Sequence, residues 1–335
     1  MENNNKIFKV AHVGCGTIAD NHLNALILNP QVKIIAICDK DIEKAVAKKE
    51  KFAPDCEVYS DYYEMINNLS LDAVHIATPH FLHAPMTIAA LERGINVFLE
   101  KPMCISLEEI ESIISAEKRS NARVCVCFQN RFITAVETAK RIAEEDGEII
   151  SAYGSVFWER NEKYYTESEW RGTYKTEGGG VMINQAIHTI DLLCHFLGTP
   201  KSLCATIANH HLKGIIEVED TCEGLIKFEN GKKANFYATT AFQGYDSTTV
   251  YIVTNKHKIE LRPPEIFIDG EKLELPPEQG FIGKACYGNG HSKLIAMFYD
   301  ALLSDKQMPV TLESAQYAVR ILLAAYKSHD QETQI

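Results

Sequence analysis

Apolar and polar positions follow two different rhythms along this chain. Up to about residue 130, short continuous apolar runs alternate with longer stretches of helical periodicity. The runs at 7–13, 33–38, 72–78, 97–99 and 122–128 have strand length. Continuous rather than alternating apolar character fits strands buried on both faces, as in a parallel sheet. Helical patterns fill the gaps. One runs to Ile27, one starts near Asp41, and one covers 84–93 and is stopped by Gly94. A fourth is opened by Ser106-Leu107-Glu108-Glu109, a capping box, and reaches about Ser120. The order β-α-β-α-β-α-β-α-β predicts a parallel sheet with right-handed crossovers.

After residue 130 the rhythm changes. A helix over 132–146 leads into a long strand over 149–158, and a second helix spans 181–196. Strands follow over 201–208, 217–229, 232–242 and 246–254. Hairpin signals stand at Glu229-Asn230-Gly231 and Asp269-Gly270. Strands with few helices between them predict a mostly antiparallel sheet, one face of it free for subunit association. Helices over 292–304 and 312–328, the latter capped by Thr311, close the chain.

Length changes this picture little: 335 residues suit two domains with ample core. Charge removes some functions. A net charge of −11 argues against a general nucleic-acid or membrane-surface binder, though not against a small anionic ligand in a local basic pocket. No apolar run approaches the roughly 20 residues of a membrane span. The polar start, Met1-Glu2-Asn3-Asn4-Asn5-Lys6, carries no signal-peptide core. The ten cysteines are scattered without a Cys-x-x-Cys pair, so a reduced, cytoplasmic protein is expected. No His/Cys spacing looks like a zinc site, and no metal is expected.

The chemistry gathers at strand ends. The first strand runs into Gly14-Cys15-Gly16-Thr17-Ile18-Ala19, a Gly-x-Gly-x-x-Ala turn that opens a helix. Gly14 allows the tight turn, Gly16 lets backbone amides approach a pyrophosphate, and the helix N-terminus faces the anion. Asp39 ends the second strand about 20 residues on, where a carboxylate accepts ribose hydroxyls and repels a 2′-phosphate. NAD is therefore expected over NADP. The plainer alternative for Asp39 is a helix N-cap. Thr78-Pro79-His80, with His83 one turn on, ends the third strand; Glu100-Lys101-Pro102 ends the fourth; Gln129-Asn130-Arg131 ends the fifth. All share one rim, the side on which open α/β sheets bind ligands. A partly desolvated Lys101 there would have a lowered pKa, although a plain Glu–Lys ion pair is an even competitor from these residues alone.

Two stretches of the second half add to the rim. Trp158 to Arg171 mixes both tryptophans with Arg160, Tyr164, Tyr165, Trp170 and Arg171, then reaches Gly178-Gly179-Gly180. Aromatic faces with arginine donors suit sugar rings, carboxylates or phosphates; a surface loop pinned by tryptophan is the alternative. In the 181–196 helix, Asn184, His188, Asp191 and His195 form a polar stripe beside an apolar one, and buried polar groups need partners.

These motifs in this order, over nearly the whole length, resemble the glucose–fructose oxidoreductase / inositol dehydrogenase (Gfo/Idh/MocA) family. The resemblance implies a Rossmann domain over 1–128. It also implies a substrate-binding and oligomerisation domain over 129–335 with an open, mostly antiparallel sheet, whose C-terminal helix can pack back on the first domain. It implies an NAD(P)-dependent dehydrogenase or reductase acting on the CH–OH groups of sugars, inositols or their derivatives, as a homodimer or homotetramer. A nucleotide-sugar dehydrogenase, a redox-assisted enzyme that retains its NAD, and a non-catalytic NAD(P)-binding sensor stay open. Lys101 and His188 match the family's catalytic pair, and Asn184 is the third implied catalytic residue. Gly14, Gly16, Thr17, Ile18, Asp39, Thr78, Pro79, His83, Glu100, Lys101 and Gln129 are the implied cofactor residues. Arg131, Arg160, Tyr164, Trp170, Arg171, Asn184 and His188 are the implied substrate residues. Many members carry Asp where this chain has Asn184, which cannot exchange a proton.

Overall fold

The computed structural model describes residues 6–242, 247–276, 288–328 and 330–335. Cys286 and the first residue of the strand expected at 246–254 lie outside the described residues.

The first half is a six-stranded, all-parallel sheet in the order β3-β2-β1-β4-β5-β6. Its strands are β1 (Phe8–Val13), β2 (Val32–Cys38), β3 (Glu57–Tyr59), β4 (Ala73–Ile76), β5 (Asn96–Leu99) and β6 (Val124–Val126). The connecting helices are α1 (Ala19–Ile27), α2 (Ile42–Phe52), α3 (Tyr62–Asn68), α4 (His83–Glu92) and α5 (Leu107–Arg119). Five of the six strands coincide with apolar runs in the sequence. The sixth, β3, has only three residues at the sheet edge, none of them fully buried, so it leaves no apolar run to read. The order reverses beside β1: β2 lies on one side and β4 on the other. Loops leaving β1 and β4 therefore part there and open a crevice.

Val97, Phe98 and Leu99 of β5 are wholly buried between α-helical layers. Each contributes about 1.5–3 kcal/mol by leaving water, which anchors the strand that delivers Lys101. Ser106 caps α5 by accepting from the Glu109 N–H at 3.2 Å. The reciprocal half of the box is displaced by one residue: Glu109 Oε2 accepts from Ile105 N–H, not Ser106.

The second half holds a nine-stranded mixed sheet, β14-β13-β12-β11-β7-β10-β9-β8-β15. Its strands are β7 (Ile149–Phe157), β8 (Pro200–Ala208), β9 (Thr221–Phe228), β10 (Lys233–Thr239), β11 (Ser247–Thr254), β12 (Lys258–Arg262), β13 (Glu265–Ile268), β14 (Glu271–Lys272) and β15 (Thr333–Gln334). Only the β7–β10 pair is parallel. Asp269 and Gly270, both at positive φ, make the tight β13–β14 turn. A short helix α7 (Glu162–Thr166) follows β7, and helices α6 (Thr134–Asp146), α8 (Ile187–Leu197) and α10 (Leu312–Ser328) cover one face of this sheet. The other face carries Tyr153, Phe157, Tyr237, Phe242 and Tyr251, with Tyr153 stacked on Tyr251. Helix α10 also touches α5 and β6 of the first sheet, and α9 (Gly290–Ser304) packs on α1. Among the described residues no helix is long and apolar enough to cross a membrane.

Candidate active site

The rim of the first sheet and the segment 158–188 enclose one cleft of about 1280 Å³. Its cofactor end is built by the Gly-rich turn. Gly14 sits at φ +94°, and a Cβ there would lie 2.3 Å from the Ala77 carbonyl oxygen, so only glycine lets the loops after β1 and β4 pass this closely. Around Gly16 the opposite holds: a Cβ would meet nothing within 4 Å. That open space, before the N-terminus of α1, fits a pyrophosphate against bare backbone. Asp39 is held in place by backbone donors, Cys15 N–H at 2.6 Å and Asp41 N–H at 2.9 Å, so its carboxylate is fixed at the cleft wall. It does not cap α2; Asp41 occupies that position. Thr17, Ile18, Thr78, Pro79 and Gln129 complete this wall.

Lys101 lies where the sequence places it, at the end of β5. Its Nζ donates to the Asn184 carbonyl oxygen at 3.0 Å. Burial lowers its pKa, partly offset by the neighbouring Glu100 carboxylate. Glu100 was expected to touch the cofactor. It reaches the cleft wall, but its carboxylate is turned away from it: Oε2 accepts from the Lys101 backbone N–H, and Oε1 accepts from His22 Nε2 at 2.8 Å. Burial alone would raise its pKa, but His22 and His291 outweigh burial and hold it well below the carboxylate range. Because Glu100 is ionised, His22 Nε2 carries the proton. His22 Nδ1 lies 3.1 Å from His75 Nδ1, and His75 Nε2 lies 2.9 Å from the Tyr299 hydroxyl. This buried chain supports Lys101 from behind. It also brings donor atoms of His22, Glu100, Cys127 and His291 within 4.8 Å of one another, a grouping that no sequence spacing announced. The hydrogen bonds account for His22 and Glu100 without a cation.

His83 is likewise a positioning group. Its Nδ1 lies 2.6 Å from the Pro102 carbonyl and its Nε2 2.9 Å from that of Thr78, tying two strand-end loops together. Neither nitrogen is free for a cofactor.

The polar stripe of the 181–196 helix divides. One turn of π-helix, Met182–Ala186, precedes α8. It turns Asn184, Gln185 and His188 into the cleft. Asp191 faces the other way and takes Arg131 in a two-pronged pair, Nε to Oδ2 at 2.8 Å and Nη2 to Oδ1 at 2.5 Å. Arg131 is therefore not a substrate residue; it joins the turn after β6 to α8. His195 also lies away from the cleft, against Phe196. His188 packs edge-on against Phe128, and its Nδ1 is buried with no partner among the described residues. Burial, reinforced by the Lys101 charge, holds its pKa well below the usual histidine value, so it stands neutral.

The segment 158–172 forms the remaining wall. Arg160 lies over the Tyr164 and Trp158 rings, and Arg171 over Tyr164 and Trp170. Trp170 packs on His80, whose Nδ1 donates to the Glu177 carbonyl oxygen at 2.8 Å. Lys40 beside Asp39 bonds Glu169 across the cleft mouth at 2.6 Å.

Two functional candidates escaped the sequence. Gln185 lines the cleft with both amide atoms buried and unpartnered among the described residues. Glu177 is buried and accepts from Gly172 N–H and Asn184 Nδ2, both at 2.6 Å. Its place immediately before the triple glycine was the only available signal.

Comparison with known proteins agrees with this construction. Residues 8–128 match the oxidoreductase family with NAD-binding Rossmann fold, GFO_IDH_MocA, and residues 136–260 match the GFO/IDH/MocA C-terminal domain. The chain belongs to the GFO/IDH/MocA family. It is 29% identical to Oxidoreductase P35 of Formosa agariphila over 57% of this chain and 61% of that protein. It is 27% identical to levoglucosan dehydrogenase of Pseudarthrobacter phenanthrenivorans over 69% and 64%. These alignments thus span less than two thirds of either relative. A crystal structure of the WlbA dehydrogenase of Chromobacterium violaceum, in complex with NADH and UDP-GlcNAcA, superposes with a TM-score of 0.84 at 26% identity, covering 99% of this chain and 97% of that one.

Proposed function

We propose that this protein is an NAD-dependent dehydrogenase that oxidises a secondary carbinol of a sugar, an inositol or one of their derivatives, or reduces the corresponding ketone. The observation that carries this reading is the meeting of Lys101 and His188, from two different sheets' layers, in one cleft beside the Gly14–Gly16 cradle. When bound, NAD supplies the hydride-accepting carbon. The residues of this chain do the rest. Gly16 and the α1 N-terminus receive the pyrophosphate, and Asp39 accepts the ribose hydroxyls. His188, neutral and with an unpartnered nitrogen, takes the proton of the substrate hydroxyl. Lys101 donates to the same oxygen and stabilises charge as it develops. Asn184 orients the substrate, and Arg160, Tyr164, Trp170 and Arg171 recognise its body. A sensor that never turned over would have no use for this pair.

A second reading, a nucleotide-linked sugar, is favoured by one observation. Arg160 and Arg171 each keep a buried Nε without a partner among the described residues. Arginines stacked on aromatic rings with spare donors suit an anionic substrate, and the WlbA structure holds such a ligand. The outer face of the second sheet, with its exposed tyrosines, fits association of two copies. A reducing compartment such as the cytoplasm fits the nine cysteines of the described residues, all of them free. The test is NADH formation across sugars, inositols and nucleotide-sugars, with Lys101→Ala beside the wild type. Turnover that vanishes in the variant supports the proposal. NAD binding without turnover, unchanged in Lys101→Ala, overturns it.

A further inference from the structure

Asn184 Nδ2 donates to two acceptors at once, Glu177 Oε1 at 2.6 Å and the Tyr164 hydroxyl at 3.2 Å. Its Oδ1 is thereby the end of the amide left for a ligand in the cleft. An ionised carboxylate can only accept, so an ionised Glu177 requires this orientation. A protonated Glu177 can donate, and the Tyr164 hydroxyl serves equally as donor or acceptor. With the proton in place, the amide can turn over, Oδ1 to Glu177 and Tyr164, Nδ2 to the cleft. Gly172 N–H still reaches Glu177 Oε2, and Lys101 still reaches the Asn184 backbone carbonyl, which does not move.

We propose that Glu177 is a positioning residue whose protonation sets which end of the Asn184 amide faces the substrate oxygen: an acceptor suited to an alcohol, or a donor suited to a ketone. The carboxylate missing at position 184 thus stands one hydrogen bond behind it. This inference rests on the dehydrogenase reading above. The surroundings allow the switch near neutrality. Burial pushes the Glu177 pKa up to about 7, against the pull of Gly172 N–H, Asn184, Arg171 and Lys101. The titratable groups that face it are Lys101 from the β5 end, Arg171, Tyr164 and Tyr165 from the cleft wall, and His80, which is neutral.

Two measurements test the proposal. The first needs neither substrate nor cofactor: the infrared carboxyl stretch across about pH 5.5–8.5. A protonated-carboxyl band should fade with a midpoint near 7 in the wild type; Glu219, also buried with a pKa raised to about 7, contributes to it, so the Glu177 component is the part that Glu177→Gln removes. The second is kcat/KM for NAD-linked alcohol oxidation with the panel substrate that turns over, over the same range. Below the midpoint the wild-type value should fall about tenfold per pH unit. Glu177→Gln should flatten this limb, and ketone reduction should show no such fall. Asn184→Ala should keep the infrared band and lose the limb, which covers the case of a Glu177→Gln variant that does not fold. A limb unchanged in both variants belongs to Lys101 or His188 and overturns the proposal; so does a carboxyl band whose amplitude is the same in the wild type and in Glu177→Gln. If no alcohol is oxidised by the wild type, the dehydrogenase reading falls, and the infrared titration still decides whether Glu177 ionises near neutrality.

Discussion

The two walls of the cleft are made in different ways. On the cofactor wall, each residue stands at the end of a parallel strand, and the sheet itself sets its position. On the substrate wall, residues come from a loop, a short helix and a π turn, and hydrogen bonds between side chains set theirs: His80 on Glu177, Glu177 on Asn184, arginines on aromatic rings. A wall fixed by backbone tolerates little change. A wall fixed by side chains can be re-cut for a new substrate without disturbing the sheet.

The sharpest test of this contrast removes the residue where the walls meet. Lys101→Ala is expected to lower kcat by about 10²–10⁴-fold while NAD affinity, read by fluorescence titration, stays within a few-fold. Next in size is the strut behind the substrate wall. Arg131→Ala leaves Asp191 buried without its counter-charge, and urea unfolding should show a loss of about 3–5 kcal/mol. A loss below about 1 kcal/mol would mean that Arg131 does not brace the wall. Arg171→Ala should raise the substrate KM by about tenfold or more with NAD affinity unchanged, a loss of about 1.5–3 kcal/mol for a charged donor. If NAD affinity fell instead, the division into walls would be wrong. Asp39→Ala should do the converse, raising KM for NAD and narrowing its advantage over NADP without touching the substrate KM.

The smallest effect concerns pH. Glu219 is buried, accepts from Gly180 and Met182 N–H, and has its pKa raised by burial to about 7. A raised carboxylate pKa means that the folded state holds its proton more tightly than the unfolded one. Its contribution is full below the unfolded value of about 4.5 and is lost as pH rises through about 7. Glu219→Gln should flatten the decline of stability over that interval.

The same contrast governs what could be read in advance. Lys101, Asp39, Thr78 and the glycine turn were legible because continuous apolar runs announce strands, and strand ends announce the rim. His188 and Asn184 were legible as part of a stripe, but Asp191 and His195 belonged to that stripe only by arithmetic. Arg131 looked like a rim residue and proved to be the partner of Asp191, because charge pairing between distant segments leaves no periodic trace. Glu100 and His83 were placed on the right wall with their polar atoms misdirected, since a strand end fixes where a residue stands and not which way it bonds. Glu177 had no pattern at all; its partner is seven residues away across a glycine turn.

The π turn at Met182–Ala186 holds one residue more than an α-helical path needs. That surplus residue has a consequence for how the segment tolerates length change. Deleting it would let the helix run on regularly, because the wider turn already absorbs the extra residue and the turns on either side keep their facing. Asn184 and Gln185, which stand on the wide turn, would be the cleft side chains to turn, with His188 and the core positions of the following helix left in place. In this segment a one-residue gap would re-aim two side chains of the cleft and spare the rest of the helix.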